Sequence, residues 1–464
     1  MKRIAIIGGG LSGLSAAYQL KRDTQTEFTI FEATSRLGGI IETIHQEGFT
    51  IECGPDSWVT EKPWARELAI ELGLGSEIIP SNDHHRRTYI LRDNQLVPMP
   101  DGLRMMVPSR LSAIRNSPLF TEVARLAYQR EPDRAAELKA SALPDDEDES
   151  VASFVRRHFG DEVTRTLAGP LLAGVFGGDI ESLSVRAVMP AFVKMERDFG
   201  SLILAVEARA HHSTGSVFTN LRSGLGTFID RIAALLPPGS IRLSTPVTAL
   251  ARTSQGWHLT TSSAAQTFDS IIIAAPAPTT RSLLHNIDAR FDPLLAMDST
   301  SAIIVAFAFL PRQARALSIP RGFGYLAPPS PGPSPEADSQ LLACTFVDQK
   351  FSHRVPQGGV LLRAFFGGAA AQIQLHQSDN ALAALAHQRL SEVLGPLPAP
   401  HITIVRRLPH SLPQYAIGHL QRMARLESLV KEFPGLHLAG NAYYGVGLPD
   451  MVRIGRTAAR AAES

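Results

Sequence analysis

Residues 3–20 read RIAIIGGGLSGLSAAYQL. Arg3–Ile7 is a short apolar run of the kind that forms a strand covered on both faces of a parallel sheet. Gly8, Gly10 and Gly13 follow at G-x-G-x-x-G spacing, with Gly9, Leu11 and Ser12 between them. Leu11, Leu14 and Tyr18 then recur at helical spacing. A second apolar strand, Glu27–Phe31, ends on Glu32. Strand, glycine turn, helix, second strand and acid, in that order, make the whole dinucleotide fingerprint. Gly8 permits the tight turn. Gly10 lets the backbone approach a pyrophosphate, and Gly13 lets the helix pack on the strand. Exposed N–H groups and the helix dipole hold the anion, and Glu32 accepts hydrogen bonds from ribose hydroxyls.

The fingerprint alone does not separate NAD from FAD. The next residues, EATSRLGGIIET (Glu32–Thr43), place Arg36, Gly38 and Gly39 just past the acid. This resembles the extended FAD signature of amine oxidase-like flavoproteins. The far end of the chain supports the longer cofactor. HLAGNAYYGVGLPDMVRIGRTAARAA (His437–Ala462) again runs from an apolar stretch through glycines into a helix. FAD is long enough to need both turns, its adenine and pyrophosphate on the first and its flavin on the second. Gly440-Asn441 would approach the ribityl and phosphate region. Val446-Gly447-Leu448 would run along the flavin, with the last helix aiming its N-terminus at it. Backbone N–H groups there stabilise the negative charge of reduced flavin. A purely structural helix cap does not explain why Gly440, Gly445 and Gly447 share one connection.

The bulk numbers set the surroundings. With 464 residues, two or more lobes are expected. Hydrophobic residues at 44% and charged residues at 19% are ordinary for a globular enzyme. A formal charge of +1 provides no global field for nucleic acid. The longest clean apolar run, Ala302–Leu310, is about half a membrane-spanning helix. Met1-Lys2-Arg3 passes straight into a strand, so no signal peptide and a cytoplasmic location are expected. Cys53 and Cys344 are the only cysteines. They make neither a disulfide framework nor a metal pattern, although one long-range disulfide stays open. The fifteen histidines form no zinc signature. The pairs His84-His85 and His211-His212 are read as surface or loop residues, and no metal site is expected.

Along the chain, Phe49–Leu74 reads as strand, Gly54-Pro55-Asp56-Ser57 turn, then helix. Residues 86–215 read as a mostly helical insertion. Within it, Leu103–Arg130 carries five arginines against Glu122 alone, a local charge of +4, interleaved with apolar residues. Such a basic amphipathic segment can lie on an anionic membrane or take in an acidic substrate; a helix pair with solvated arginines is the alternative. LPDDEDES (Leu143–Ser150) is a solvated linker ending in a helix cap at Ser150. GPLLAGVFGGDIESLS is too rich in glycine for one helix. Strands follow at Ile241–Leu243, Pro246–Thr253, Trp257–Thr261 and Ser270–Ala274, the middle ones a meander. Ser301–Leu310, LLACTFVDQ and GVLLRAFFGG form a second sheet. APPSPGPSPEADSQ (Ala327–Gln340) is an exposed loop, and DNALAALAHQRLSEVLG a helix stopped at Gly395. The expected fold is α/β: a Rossmann-like FAD-binding domain (1–85, 216–290 and 405–464) interleaved with a helical capping or membrane-associating insertion (86–215) and a mixed-sheet substrate domain (291–404).

At this level the chain resembles the FAD-dependent porphyrinogen oxidases of haem synthesis, which act on protoporphyrinogen IX or coproporphyrinogen III. The resemblance covers essentially the whole chain. It rests on GGGLSGLSAAY, EATSRLGG, ECGPDSW, LVPMPDGLR, ESVASFVRRHFG, GPLLAGVFGGD, SGLGTF, LLACTFV, GGVLLRAFFGG, SLPQYAIGHL and AGNAYYGVGLPD, in that order. It implies FAD contacts at Gly8, Gly9, Gly10, Leu11, Ser12, Gly13, Glu32, Ala33, Arg36, Gly39, Gly54, Pro55, Asp56, Ser57, Val247 (backbone to adenine), Asn441, Val446, Gly447 and Leu448. It implies Arg104, in MPDGLR, beside a substrate propionate. His410-Ser411 stands where the family often has an aromatic residue. The implied reaction removes six electrons and six protons in three rounds, with three O₂ reduced to three H₂O₂. The helical insertion would touch a membrane through 103–130, and product would pass to the next haem-pathway enzyme. A flavin amine oxidase and a non-catalytic flavoprotein that binds haem intermediates are the alternatives. No residue stands out as a general base.

Overall fold

Ile4, Ala5 and Ile6 are completely buried, as a strand covered on both faces requires. The computed structural model describes residues 2–23, 26–209, 215–328 and 339–464. The His211-His212 pair and most of the Pro/Ser-rich stretch 327–340 lie outside the described residues. Arg3–Ile7 pairs in parallel with Glu27–Phe31 on one side and Ser270–Ile273 on the other. Ile241–Arg242 and Leu436–Leu438 complete a five-stranded parallel sheet. Strands from the beginning, middle and end of the chain are thus neighbours, which brings the two glycine turns together.

Helices cover this sheet. Leu11–Asp23 packs along Leu448–Glu463. The approach is close because of Gly455: a Cβ there would sit 2.1 Å from the Ser12 carbonyl oxygen. The meander expected after residue 246 is present as Val247–Thr253, Gly256–Thr261 and Ala265–Phe268.

The second sheet has seven strands, in the order Ile402–Pro413, Ser299–Phe309, Val360–Gly367, Ala343–Phe346, Gly324–Leu326, Thr88–Arg92 and Gln95–Pro98. Residues 88–98 are therefore a hairpin on its edge rather than part of a helical insertion. A β-hairpin turn at Asp93-Asn94, both with positive φ, explains this: such turns favour strand pairing. At the other edge the long strand runs on to Pro413 before the chain returns to the first sheet.

The helical lobe is built from Glu122–Arg130, Ala135–Ala140, Val151–Val163, Gly169–Phe176, Val185–Val188, Pro190–Phe199 and Leu202–Arg209. Its basic entry is not one amphipathic helix. Leu103–Arg104 and Val107–Pro108 pair as a short hairpin, Leu111–Ala113 makes one 3-10 turn, and an α-helix forms only from Glu122, capped by the Thr121 hydroxyl. Pro108 and Pro118 interrupt any longer helix. The cap expected at Ser150 is present, its hydroxyl accepting from Ser153 N. Gly169–Phe176 ends at Gly177 in the left-handed conformation, so GPLLAGVFGG does break, as its glycines suggest. Gly395 likewise ends Asp379–Leu394. Cys53 and Cys344 are both free and buried, which closes the disulfide alternative; burial pushes the Cys53 thiol up to about 11.

Candidate functional site

Gly8 carries φ +110°, a conformation natural to glycine, and a Cβ there would stand 2.5 Å from the Ala274 carbonyl. Gly13 is packed still more tightly, its virtual Cβ 2.0 Å from the Gly8 carbonyl. Gly10 differs: a Cβ there would meet nothing within 4 Å. The second glycine pair packs directly against this turn. Gly38 N–H donates to Gly9 O at 2.8 Å, and a Cβ on Gly39 would lie 3.4 Å from Gly10 Cα. The Ser12 hydroxyl is buried without a hydrogen-bond partner. Open space over Gly10 at a helix N-terminus fits a pyrophosphate.

Glu32 reaches back to the same turn. Its Oε2 accepts from Gly9 N at 2.7 Å, and its Oε1 from Thr34 N and Oγ1 at 2.8 Å. This fixes the carboxylate and leaves one acceptor position, on Oε2, for a hydroxyl. Ala33, next to it, is exposed. Thr245 N–H donates to the Glu32 carbonyl at 2.8 Å, which brings Val247 alongside. Arg36 is turned to the chain instead: its guanidinium donates to the carbonyls of Leu37, Gly39 and Ile41. Its contribution is the shape of the Gly38–Ile41 turn, because three carbonyls already take its N–H groups.

That turn lies against Gly54, whose virtual Cβ would be 1.9 Å from the Ile40 carbonyl. The Gly54-Pro55-Asp56-Ser57 segment is gripped from the second sheet. Lys350 Nζ reaches both Asp56 oxygens at 2.9 and 3.0 Å, and Arg363 Nη1 lies 3.3 Å from Oδ2. Arg363 also donates to the Gly54 carbonyl. Burial would push the Asp56 carboxyl up, but Lys350 and Arg363 hold it well below the usual carboxylate range. Its carboxylate is thus committed to protein cations, and the backbone of the turn is what it presents. Lys350 gives no local signal. Arg363 does, as an arginine inside the apolar strand VLLRAFFG.

The C-terminal turn stands beside these segments. Gly440 has φ +125° and Gly445 φ +115°. Asn441, Val446 and Gly447 are half-buried, and Leu448 is buried. Asp450, in the first turn of the last helix, receives Lys62 Nζ at 2.6 Å. Arg104 extends this chain of charges outward: its Nη2 is 4.0 Å from the carboxylate of Glu61, next to Lys62, and the side chain is half exposed. Arg104 thus has a loose, solvated partner in Glu61. Tyr443 is buried, its hydroxyl 3.5 Å from Thr280 Oγ1, so its ring packs the core behind the turn. His84 is exposed. Among the described residues no cluster of His, Cys, Asp or Glu could hold a metal ion, and no helix is long and apolar enough to cross a membrane.

A parallel sheet whose first turn has the glycine spacing and the open space that a pyrophosphate needs, and whose last strand leads into a second glycine turn and helix, has the architecture of a dinucleotide-binding oxidoreductase. The chain belongs to the flavin containing amine oxidoreductase family, whose model matches residues 11–462, and its cofactor is FAD. It is 32% identical to the coproporphyrinogen III oxidase of Bacillus subtilis, over 98% of this chain and 97% of the relative. It is 28% identical to the protoporphyrinogen oxidase of Bos taurus, over 99% and 98%. A provisionally named protoporphyrinogen oxidase from Exiguobacterium sp. 255-15 superposes with a TM-score of 0.85 at 33% identity, covering 100% of this chain and 98% of that one. Cyclohexylamine oxidase from Brevibacterium oxydans, at 17% identity and TM-score 0.71 over 100% and 99%, shares the fold.

Proposed function

We propose that this protein oxidises a porphyrinogen, protoporphyrinogen IX or coproporphyrinogen III, to the porphyrin in haem synthesis, with O₂ as electron acceptor. The observation that carries this reading is the likeness at 32% identity, along nearly the whole of both chains, to a coproporphyrinogen III oxidase. Bound FAD supplies the two-electron oxidation chemistry, three rounds of which convert porphyrinogen to porphyrin while three O₂ become three H₂O₂.

The chain's own part is to bind, orient and exclude water. Gly8–Gly13, Glu32, Gly39, Gly54–Ser57, Val247, Asn441 and Val446–Leu448 seat the cofactor. The sheet of residues 291–413, with its edge hairpin 88–98, and the helical lobe receive the macrocycle. The rim at 103–130 stands as the surface for membrane contact and for passing product to the next enzyme of the pathway. Arg104 pairs with a propionate, since a guanidinium matches a carboxylate bidentately and its present partner is a solvated glutamate 4.0 Å away.

Purified protein supplied with each porphyrinogen, and with amines, under H₂O₂ detection tests the reading. Turnover of a porphyrinogen but not of amines is expected. Oxidation of amines alone would favour the amine oxidase alternative, and flavin that no porphyrinogen reduces in stopped flow would favour the non-catalytic one. Arg104→Ala is expected to raise KM about ten-fold, the worth of one charge-assisted hydrogen bond, while flavin content stays at the wild-type level. Unchanged substrate kinetics would remove Arg104 from the site.

A further inference from the structure

The segment Gln414–Gln421, where the chain leaves the second sheet, makes two sets of contacts. Toward the C-terminal turn, Tyr415 and His419 are both buried and stacked, their ring centroids 3.9 Å apart and planes 13° apart. The Tyr415 hydroxyl donates to Asn441 O at 2.6 Å and accepts from Gly445 N at 2.8 Å. His419 Nε2 lies 2.8 Å from Tyr443 O. A carbonyl accepts only, so this nitrogen carries the proton. Two rings thereby satisfy three backbone groups in five residues of turn. Toward the helical lobe, Tyr415 O accepts from Ser184 N at 2.8 Å and Ile417 N donates to Ser182 O at 3.0 Å. Gly418 N donates to Asp148 Oδ2 at 2.8 Å.

We propose that Tyr415 and His419 are positioning residues that clamp the turn Asn441–Gly445 and so set the geometry of Val446–Leu448 against the flavin, tied through the same segment to the helical lobe. The clamp rests on the seating of the flavin at Asn441–Leu448 proposed above. The turn cannot hold itself: Gly440 and Gly445 both have positive φ, and glycine gives the backbone the widest choice of conformations. The Asn441 side chain is spent on Ser411 O, at 3.1 Å. The two rings, together with Arg453, whose Nη2 donates to Tyr444 O at 3.0 Å, are the reference against which those glycines are ordered. Burial pushes the His419 imidazole down to about 4, so it stays neutral and the clamp holds its form at neutral pH.

Four variants test this, each purified full length and titrated with FAD. Tyr415→Phe keeps the ring and removes the hydroxyl. His419→Phe keeps a ring to stack and removes the donor, whereas His419→Gln restores a donor toward Tyr443 O. Gly447→Val alters the turn itself. Tyr415→Phe and His419→Phe are expected to weaken FAD binding roughly ten-fold, as buried backbone groups left unpaired should. The flavin they retain should show shifted visible bands and a shifted two-electron potential. His419→Gln should stay within about three-fold of wild type. A purely structural role would lower the melting temperature and leave bands and potential in place, and that result overturns the clamp. Should Tyr415→Phe fail to fold, the contrast between His419→Phe and His419→Gln decides. If Gly447→Val binds FAD like wild type, the seating is wrong and the clamp falls with it. If Gly447→Val loses FAD while both ring variants keep it unchanged, only the clamp is wrong.

Discussion

Gly10→Val is expected to fold normally and to come off the column colourless. The reason is the contrast between three glycines in one turn. At Gly8 and Gly13 a side chain would collide with backbone at 2.5 and 2.0 Å. At Gly10 it would enter open space, and Gly10 has no positive φ to be strained. An isopropyl group there costs the apo fold little. It does fill the open space over Gly10 that a pyrophosphate would need. Losing that contact is worth on the order of 3 kcal/mol, or about a hundred-fold in affinity. Gly13→Val should behave oppositely, with unfolding at a much lower temperature, because Leu11–Asp23 could no longer lie on Arg3–Ile7. Absorbance at the flavin bands, an FAD titration and a thermal scan separate the two. A yellow Gly10→Val protein of normal stoichiometry would put the cofactor elsewhere.

The second large effect belongs to the helical lobe. His158 is wholly buried between two carboxylates, its Nδ1 2.9 Å from Glu131 and its Nε2 3.0 Å from Glu196. Both partners are carboxyl groups, an arrangement that favours the doubly protonated ring. Arg157 pairs with Glu196 and Glu149. Glu131 also accepts from Ser201 Oγ and from Leu202 N at the start of Leu202–Arg209. Burial alone would lower the histidine's pKa, but the hydrogen bonds from Glu131 and Glu196 outweigh it and the value lies above the ordinary one.

A folded pKa raised above the unfolded one, about 6.5, adds stability that is complete below the unfolded value. That stability drains away as pH rises through the folded value. The melting temperature is therefore expected to be level near pH 6 and to fall toward pH 9. His158→Leu leaves two buried carboxylates without the cation between them. It should cost about 3–5 kcal/mol and abolish most of that pH dependence. Thermal or denaturant unfolding at pH 6, 7.5 and 9 checks both. A wild-type curve flat over that range, or a His158→Leu curve with the same slope, would show that the ring is neutral.

Much of the proposed cofactor site could be named from the sequence because its signals are local. A strand, a glycine turn and a helix within twenty residues must form the same unit wherever they occur, since each glycine answers a demand of its own backbone. Gly8, Gly10, Gly13 and Glu32 need no distant partner to be recognised. Caps follow the same logic, as Ser150 and Gly395 illustrate. The hairpin at Leu103–Pro108, inside an insertion read as mostly helical, was not legible for the converse reason. Arginines among apolar residues look alike on a helix or a hairpin, and the prolines at 108 and 118 decide between them only once the neighbours are placed.

What the sequence by itself determined is the existence of two nucleotide-style turns, the acid that ends the second strand and the absence of any nucleophile or metal pattern. Only the tertiary structure decided which side chains hold those turns. Asp56 looks like a ligand contact until Lys350 and Arg363, some three hundred positions away, take its carboxylate. Arg36 looks the same until three carbonyls absorb its guanidinium. Tyr415 and His419 lie outside the glycine signature, and their meaning comes from backbone groups of Asn441, Tyr443 and Gly445. The physical reason is range: backbone conformation is set within a few residues, whereas the satisfaction of a buried charge or carbonyl is settled by whatever the fold carries into contact.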